Sequence, residues 1–154
     1  MKERWRRVGA LAGVLFAVNV VARLVTRFAF HDDTEASDRI SLVMFAALGL
    51  ILAVVAFRWG RRVPLGQWCG EIAVAVLVAM VLTIFVGPFI SGSNPFADGA
   101  GAFFSQIWLY LGCTAFGALL GYLLLTALGR DYRSESLRRY AELQRSRPRR
   151  VVRR

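Results

Sequence analysis

Polar side chains are scarce in the apolar stretches of this chain, so each one found there is a candidate for chemistry. Asn19, Arg23 and Arg27 recur at every fourth position, which sets them on one face of a helix. A guanidinium at the centre of a bilayer costs roughly 2.5–3.5 kcal/mol on insertion scales, and less toward the surface. Side chains held at that cost mark an ion or substrate path, or they pin one element to another. Gln106 enters a later apolar run from the same side. Asn19, Arg23, Arg27 and Gln106 therefore make a candidate intramembrane polar cluster, closed by the acids that follow at Asp32, Asp33, Glu35 and Asp38. On a helical wheel the stripe falls beside Gly9 and Gly13 and opposite Leu11, Val14, Val18 and Val25, so it is expected to face other helices. Its plain role is structural, with acids and lipid phosphates satisfying two arginines. Its sharper role is an arginine-lined outer vestibule, which would favour anions.

The remaining reactive types are isolated. Glu71 opens an apolar run, where a carboxylate suits a helix N-terminus and can pair with Arg61 or Arg62. His31 is the single histidine and lies beside acids, as a solvated interface residue does. Cys69 and Cys113 form no CxxC pair. Their expected depths differ by far more than the roughly 7 Å that a disulfide spans between Cα atoms, so both read as reduced packing residues. No clustered nucleophile, acid pair or metal-ligand set stands out of the kind an active site needs. The sequence thus gives no catalytic, cofactor-binding or metal-binding residue, and the expectation is a protein that is not an enzyme and carries no cofactor.

The elements that must position these residues are legible from composition. Of 154 residues, 56% are hydrophobic and 19% charged, and the mean hydropathy is +0.49. The charges cluster at residues 2–7, 31–39, 58–62 and 130–154. Between the clusters lie four apolar runs, at about 8–30, 40–57, 70–90 and 102–128. Each is long enough for the roughly 20 helical residues that cross a bilayer core, and each is too continuous for the alternation of a barrel strand. The fold class is an all-α integral membrane protein, a four-helix transmembrane bundle.

Orientation follows from the charges between the runs. The leader at residues 1–7, the segment with Arg58, Arg61 and Arg62, and the tail at residues 129–154 are basic, whereas the other two connections are not. Positive segments stay inside, so both termini are expected in the cytoplasm (N-in/C-in). Trp59 and Trp68 flank the inner loop, where an aromatic belt belongs. The stretch ending Val20-Val21-Ala22 also resembles a secretory signal with a cleavage site after Ala22. Asn19 and the small-residue stripe in this helix speak for its retention. Pro88, after Gly87, is expected to end or kink the third helix.

Small residues at four-residue spacing let helix backbones approach in lipid. Gly9 and Gly13 in the first run, and Gly117 and Gly121 in the fourth, are the candidate packing positions. The tail from Asp131 to Gln144 suits a short amphipathic helix on the cytoplasmic side. Arg130, Arg133, Arg138, Arg139 and Arg145 on it are candidate contacts to anionic lipid, and the last residues, with Pro148, read as disordered. The net charge of +10 is explained by these membrane-flanking positions, and nucleic acid is not an expected partner. Expected partners are the lipid bilayer, its anionic lipids at the cytoplasmic face, and a membrane-protein partner or a second copy. Lys2 is the only lysine, and that arginine bias, with the Ala, Val and Gly content, points to a bacterial cell membrane. The acidic residue of small multidrug exporters is missing from the first helix, which carries Asn19 and arginines instead. The favoured function is a non-enzymatic accessory or interaction protein of the membrane, and the alternative is a small oligomeric transporter or channel.

Overall fold

A computed structural model describes residues 2–29, 34–91, 99–130 and 132–146. All the described elements are helical: α1 (Lys2–Ala29), α2 (Thr34–Gly60), α3 (Leu65–Val81), a π turn (Leu82–Val86), α4 (Gly87–Ser91), α5 (Gly99–Ala127) and α6 (Tyr132–Ser146). Four of the helical stretches are long and apolar enough to cross a membrane: Lys2–Phe28, Asp38–Gly60, Leu65–Ile90 and a fourth that begins at Gly99 with α5. This is a multi-pass membrane architecture. Every span begins before its apolar run, and α2 and α4 also end beyond theirs; residues 2–7 of the basic leader are the first turns of α1. Hydropathy marks the part of a helix that lipid covers, whereas the backbone hydrogen-bond ladder continues through the interface.

The solvent of these helices is evident from which residues they hide. In α2, Leu48 and Leu52 are fully buried, yet Leu42 and Leu50 on the same helix are 70% and 68% exposed. Helices apolar all round are stable when hydrocarbon takes the place of water on the outward face. Four antiparallel spans return the chain to the end at which it began. We call this the terminal end, and the end with the α1–α2 and α4–α5 connections the loop end.

The tightest contact is between α2 and α5. A Cβ added at Gly117 would stand 2.6 Å from the Gly49 Cα, and one at Gly121 would stand 2.7 Å from the Ala53 Cα. The two backbones touch through these residues, as small residues allow in lipid. Helix α1 packs on α3, α2 and α4. Between α3 and α5 lies an open apolar groove of about 480 Å³, lined by Cys69, Ile72, Val76, Leu111, Ala115 and Leu119 among others.

Several expectations are corrected here. Gly9 and Gly13 are exposed, and a Cβ added at either would meet no atom within 4 Å. The face of α1 that packs is instead Val8, Leu11, Ala12, Leu15 and Asn19. The series Leu11, Leu15, Asn19 and Arg23 follows the four-residue spacing, so Leu11 belongs with the polar stripe rather than opposite it. Trp68 is 4% exposed, with its ring 5.7 Å from that of Tyr122, and is a core residue rather than part of a belt. Pro88 does not end the third span. Its ring would clash with the carbonyl four residues back, and it has no N–H to donate. The π turn absorbs the misfit, the Gly87 N–H reaches back five residues to the Leu82 carbonyl, and the helix continues as α4.

The glycine contacts yield a comparison. Gly117→Ala should lower the stability of the bundle by about 1–3 kcal/mol, the usual cost of overpacking, whereas Gly9→Ala should leave it unchanged or slightly raised. Unfolding in mild detergent, followed by circular dichroism, reads both. Equal effects would show that the α2–α5 backbone contact is not the tight one.

Candidate functional site

Asn19 is the deepest polar group of α1, at 1% exposure. Its amide Nδ2 donates to the Met44 sulfur of α2 at 3.1 Å. Its carbonyl Oδ1 accepts from Arg23 Nε at 3.0 Å. A helical turn separates the two residues, so α1 supplies the geometry of this bond by itself. The amide joins a charged group toward the loop end to a soft, weak acceptor on a neighbouring helix.

Arg23 lies flat against the span that follows the π turn. A Cβ at Gly87 would stand 2.8 Å from Arg23 Nε and 3.2 Å from its Cζ, so the absence of a side chain at Gly87 makes room for the guanidinium. Arg27, one turn further on, donates from Nη1 to the Ile90 carbonyl at 2.7 Å. That carbonyl is near the end of α4, where helix carbonyls lack intrahelical donors. The two arginines thus tie α1 to the third span by different means, one by packing and one by a hydrogen bond.

An arginine presents five N–H donors. For Arg23 the bond to Asn19 uses one, and among the described residues no carboxylate pairs with it. Two further polar groups are buried within the bundle. Thr83, within the π turn, and Tyr110 of α5 are each 1% exposed. Neither hydroxyl has a hydrogen-bond partner among the described residues. Thr114, one turn beyond Tyr110, satisfies its hydroxyl on the Tyr110 carbonyl at 2.7 Å.

The expected cluster is therefore brought together in part. Asn19 and Arg23 are bonded directly. Arg27 joins through α4 rather than through Asn19. Gln106 is partly buried, and no hydrogen bond connects it to the others among the described residues. Helix α5 packs chiefly on α2, whereas α1 packs chiefly on α3 and α2, so the main contacts of the helices that carry Gln106 and Asn19 are with other elements. Of the loop acids, His31's neighbours Asp32 and Asp33 lie outside the described residues. Glu35 pairs with Arg39 on its own helix at 3.7 Å, and Asp38 is exposed.

Glu71 differs from expectation. It is 5% exposed and its partner is Arg4, Nε to Oε1 at 2.8 Å, not Arg61 or Arg62. The packing of α1 on α3 carries the first turn of α1 over the first turns of α3, and that pairing was not readable from loop position. Gln67, four residues before Glu71, adds a long contact at 3.5 Å. Sequence reading also missed Met44 and Tyr110. Thr83 was visible as a polar residue deep in an apolar run and Gly87 as a small residue before Pro88, but the seat that Gly87 gives Arg23 depends on which helices adjoin. Cys69 and Cys113 are both free.

Comparisons with protein-family models, with curated proteins and with solved structures return no match to this chain.

A double-mutant cycle tests whether Asn19 and Arg23 act as a unit. Asn19→Leu and Arg23→Leu, alone and together, should show a coupling of about 1.5–3 kcal/mol in detergent unfolding, the range for hydrogen bonds to charged groups. Strict additivity would mean that the 3.0 Å contact contributes nothing to the bundle.

Proposed function

We propose that this chain is a non-enzymatic accessory or interaction protein of a bacterial cell membrane, with both termini in the cytoplasm. Helix α6 carries this reading. It extends from the bundle with Leu137, Tyr140 and Leu143 61%, 61% and 65% exposed, and with Arg133, Arg138 and Arg139 among them. A helix with apolar and basic side chains so exposed, adjoining a membrane span, suits an anionic lipid surface or an acidic partner. The basic, non-basic alternation of the connections supports the orientation, because positive segments are retained inside. The apolar groove between α3 and α5 supports a membrane-embedded partner, since it offers a neighbouring span a surface that is recessed but not filled.

A second reading, a small oligomeric channel or transporter for anions, draws on Arg23. A guanidinium between helices, with no carboxylate paired to it among the described residues, is a charge that an anion would satisfy.

Affinity purification of the full chain from membranes in mild detergent, with and without residues 130–154, separates the two. A stoichiometric partner protein lost with the tail is expected. A homo-oligomer with no other partner would instead favour transport, and chloride flux into vesicles lost in Arg23→Leu would then establish it.

A further inference from the structure

We propose that the cavity between the end of α2 and helix α6 is a binding site for a ligand bearing two phosphate groups. The cavity has a volume of about 790 Å³, and Arg58, Arg61, Arg62, Tyr132, Arg139 and Tyr140 lie on its walls. Glu135 is the one carboxylate among them. Four arginines against one glutamate leave three positive charges on one concave surface.

One wall is rigid. The Arg62 and Val63 amides close the end of α2 by donating to the Trp59 carbonyl at 2.9 and 3.0 Å. Gly60 sits so close to Leu125 and Trp68 that a Cβ there would stand 2.5 Å from the first and 3.7 Å from the second. The turn that displays Arg58, Arg61 and Arg62 is thus seated on the buried Trp68. Among the described residues, none of these three arginines has an ion-pair or hydrogen-bond partner for its side chain. Their donors are unspent.

The other wall is set by how α5 ends. Arg130 N–H donates to the Leu125 carbonyl at 3.2 Å and Gly129 N–H to the Thr126 carbonyl at 2.9 Å, with Gly129 at φ +60°. This is a Schellman termination, which needs the left-handed conformation that glycine adopts without strain. It sends α6 off so that Arg139 and both tyrosines line the space facing the arginine turn. The Arg139–Glu135 contact is loose, at 3.7 Å, which leaves guanidinium donors for a ligand.

Charge and size together choose the ligand. Arginines recognise phosphate through paired N–H donors, and the tyrosine hydroxyls can donate as well. One phosphate is only a few water volumes of roughly 30 Å³ each, so alone it would leave most of the cavity of about 790 Å³ unfilled. Two phosphates on a single molecule use more of that space and answer the surplus of positive charge. The cavity volume falls in the roughly 300–1,000 Å³ range of ligand sites. The site lies where the spans leave the bilayer, so either a lipid with a diphosphate or bisphosphate headgroup or a soluble diphosphate has access to it.

Native mass spectrometry of the full chain released from neutral detergent tests this, with three probes: tetraoleoyl diphosphatidylglycerol, dioleoyl phosphatidylglycerol and inorganic pyrophosphate. One diphosphatidylglycerol should bind per chain, more tightly than phosphatidylglycerol. Binding should weaken about tenfold per arginine removed in Arg61→Gln and Arg62→Gln, and also in Arg139→Gln on the opposite wall. Arg7→Gln, which changes net charge equally at the same end, should bind as the parent does. Pyrophosphate binding with the same dependence on these arginines would assign the site to a soluble ligand, and pyrophosphate indifference to a lipid. The proposal fails if no two-phosphate probe binds, if the one-phosphate lipid binds as well as the two-phosphate one, or if Arg7→Gln weakens binding as much as the wall variants. Should the turn variants not fold, Arg139→Gln on the exposed helix decides alone, and unchanged binding there overturns the proposal.

Discussion

Backbone contact between α2 and α5 is the constraint from which the rest of the bundle is built. In lipid there is no water to expel from between helices, so association depends on close packing and on polar contacts. Gly117 and Gly121 meet Gly49 and Ala53 with no side chain between them. That contact fixes the pair as one unit. Helix α1 then packs on a neighbouring face of α2, where Leu48 and Leu52 share a single core with Leu11 and Leu15. The third span completes the bundle against α1 and only grazes α5, which leaves the groove between them.

Polar groups are then accommodated in pairs of compensations. Asn19 divides its two ends between Arg23 and Met44, so one amide satisfies a charge and fastens α1 to α2. Pro88 forces a wide turn, and Gly87 beside it offers a smooth surface on which the Arg23 guanidinium rests. A proline, a glycine and an arginine that each look disruptive in a membrane span thus answer one another. The Arg4–Glu71 pair plays the corresponding role at the terminal end, tying the first turns of α1 and α3.

The number of spans and the boundaries of their apolar cores were legible in the sequence because they depend on hydropathy alone. So was the Asn19–Arg23 contact, since both residues are on one helix a single turn apart. The Gly117 and Gly121 stripe was visible as well, but an identical spacing at Gly9 and Gly13 was equally visible and does not pack. Spacing states that a helix has a smooth face; it does not state which neighbour meets that face. The same limit explains Glu71, whose partner is over sixty residues away on α1, and Gln106, whose helix turns its contacts toward α2. Pro88 was legible as an interruption, but whether a span breaks there or widens depends on what packs around it.

The fixed guanidinium of Arg23 has an electrical consequence. A charge part-way through a bilayer lies within the transmembrane field, and one elementary charge crossing the whole field changes energy by about 2.3 kcal/mol per 100 mV. Arg23 is held partly buried and without a paired carboxylate among the described residues, so its charge is not cancelled as it is in an ion pair. The 3.0 Å bond to Asn19 and the seat on Gly87 fasten that charge to two helices, so any pull that a transmembrane voltage puts on the guanidinium is passed to the bundle and not spent in moving one side chain.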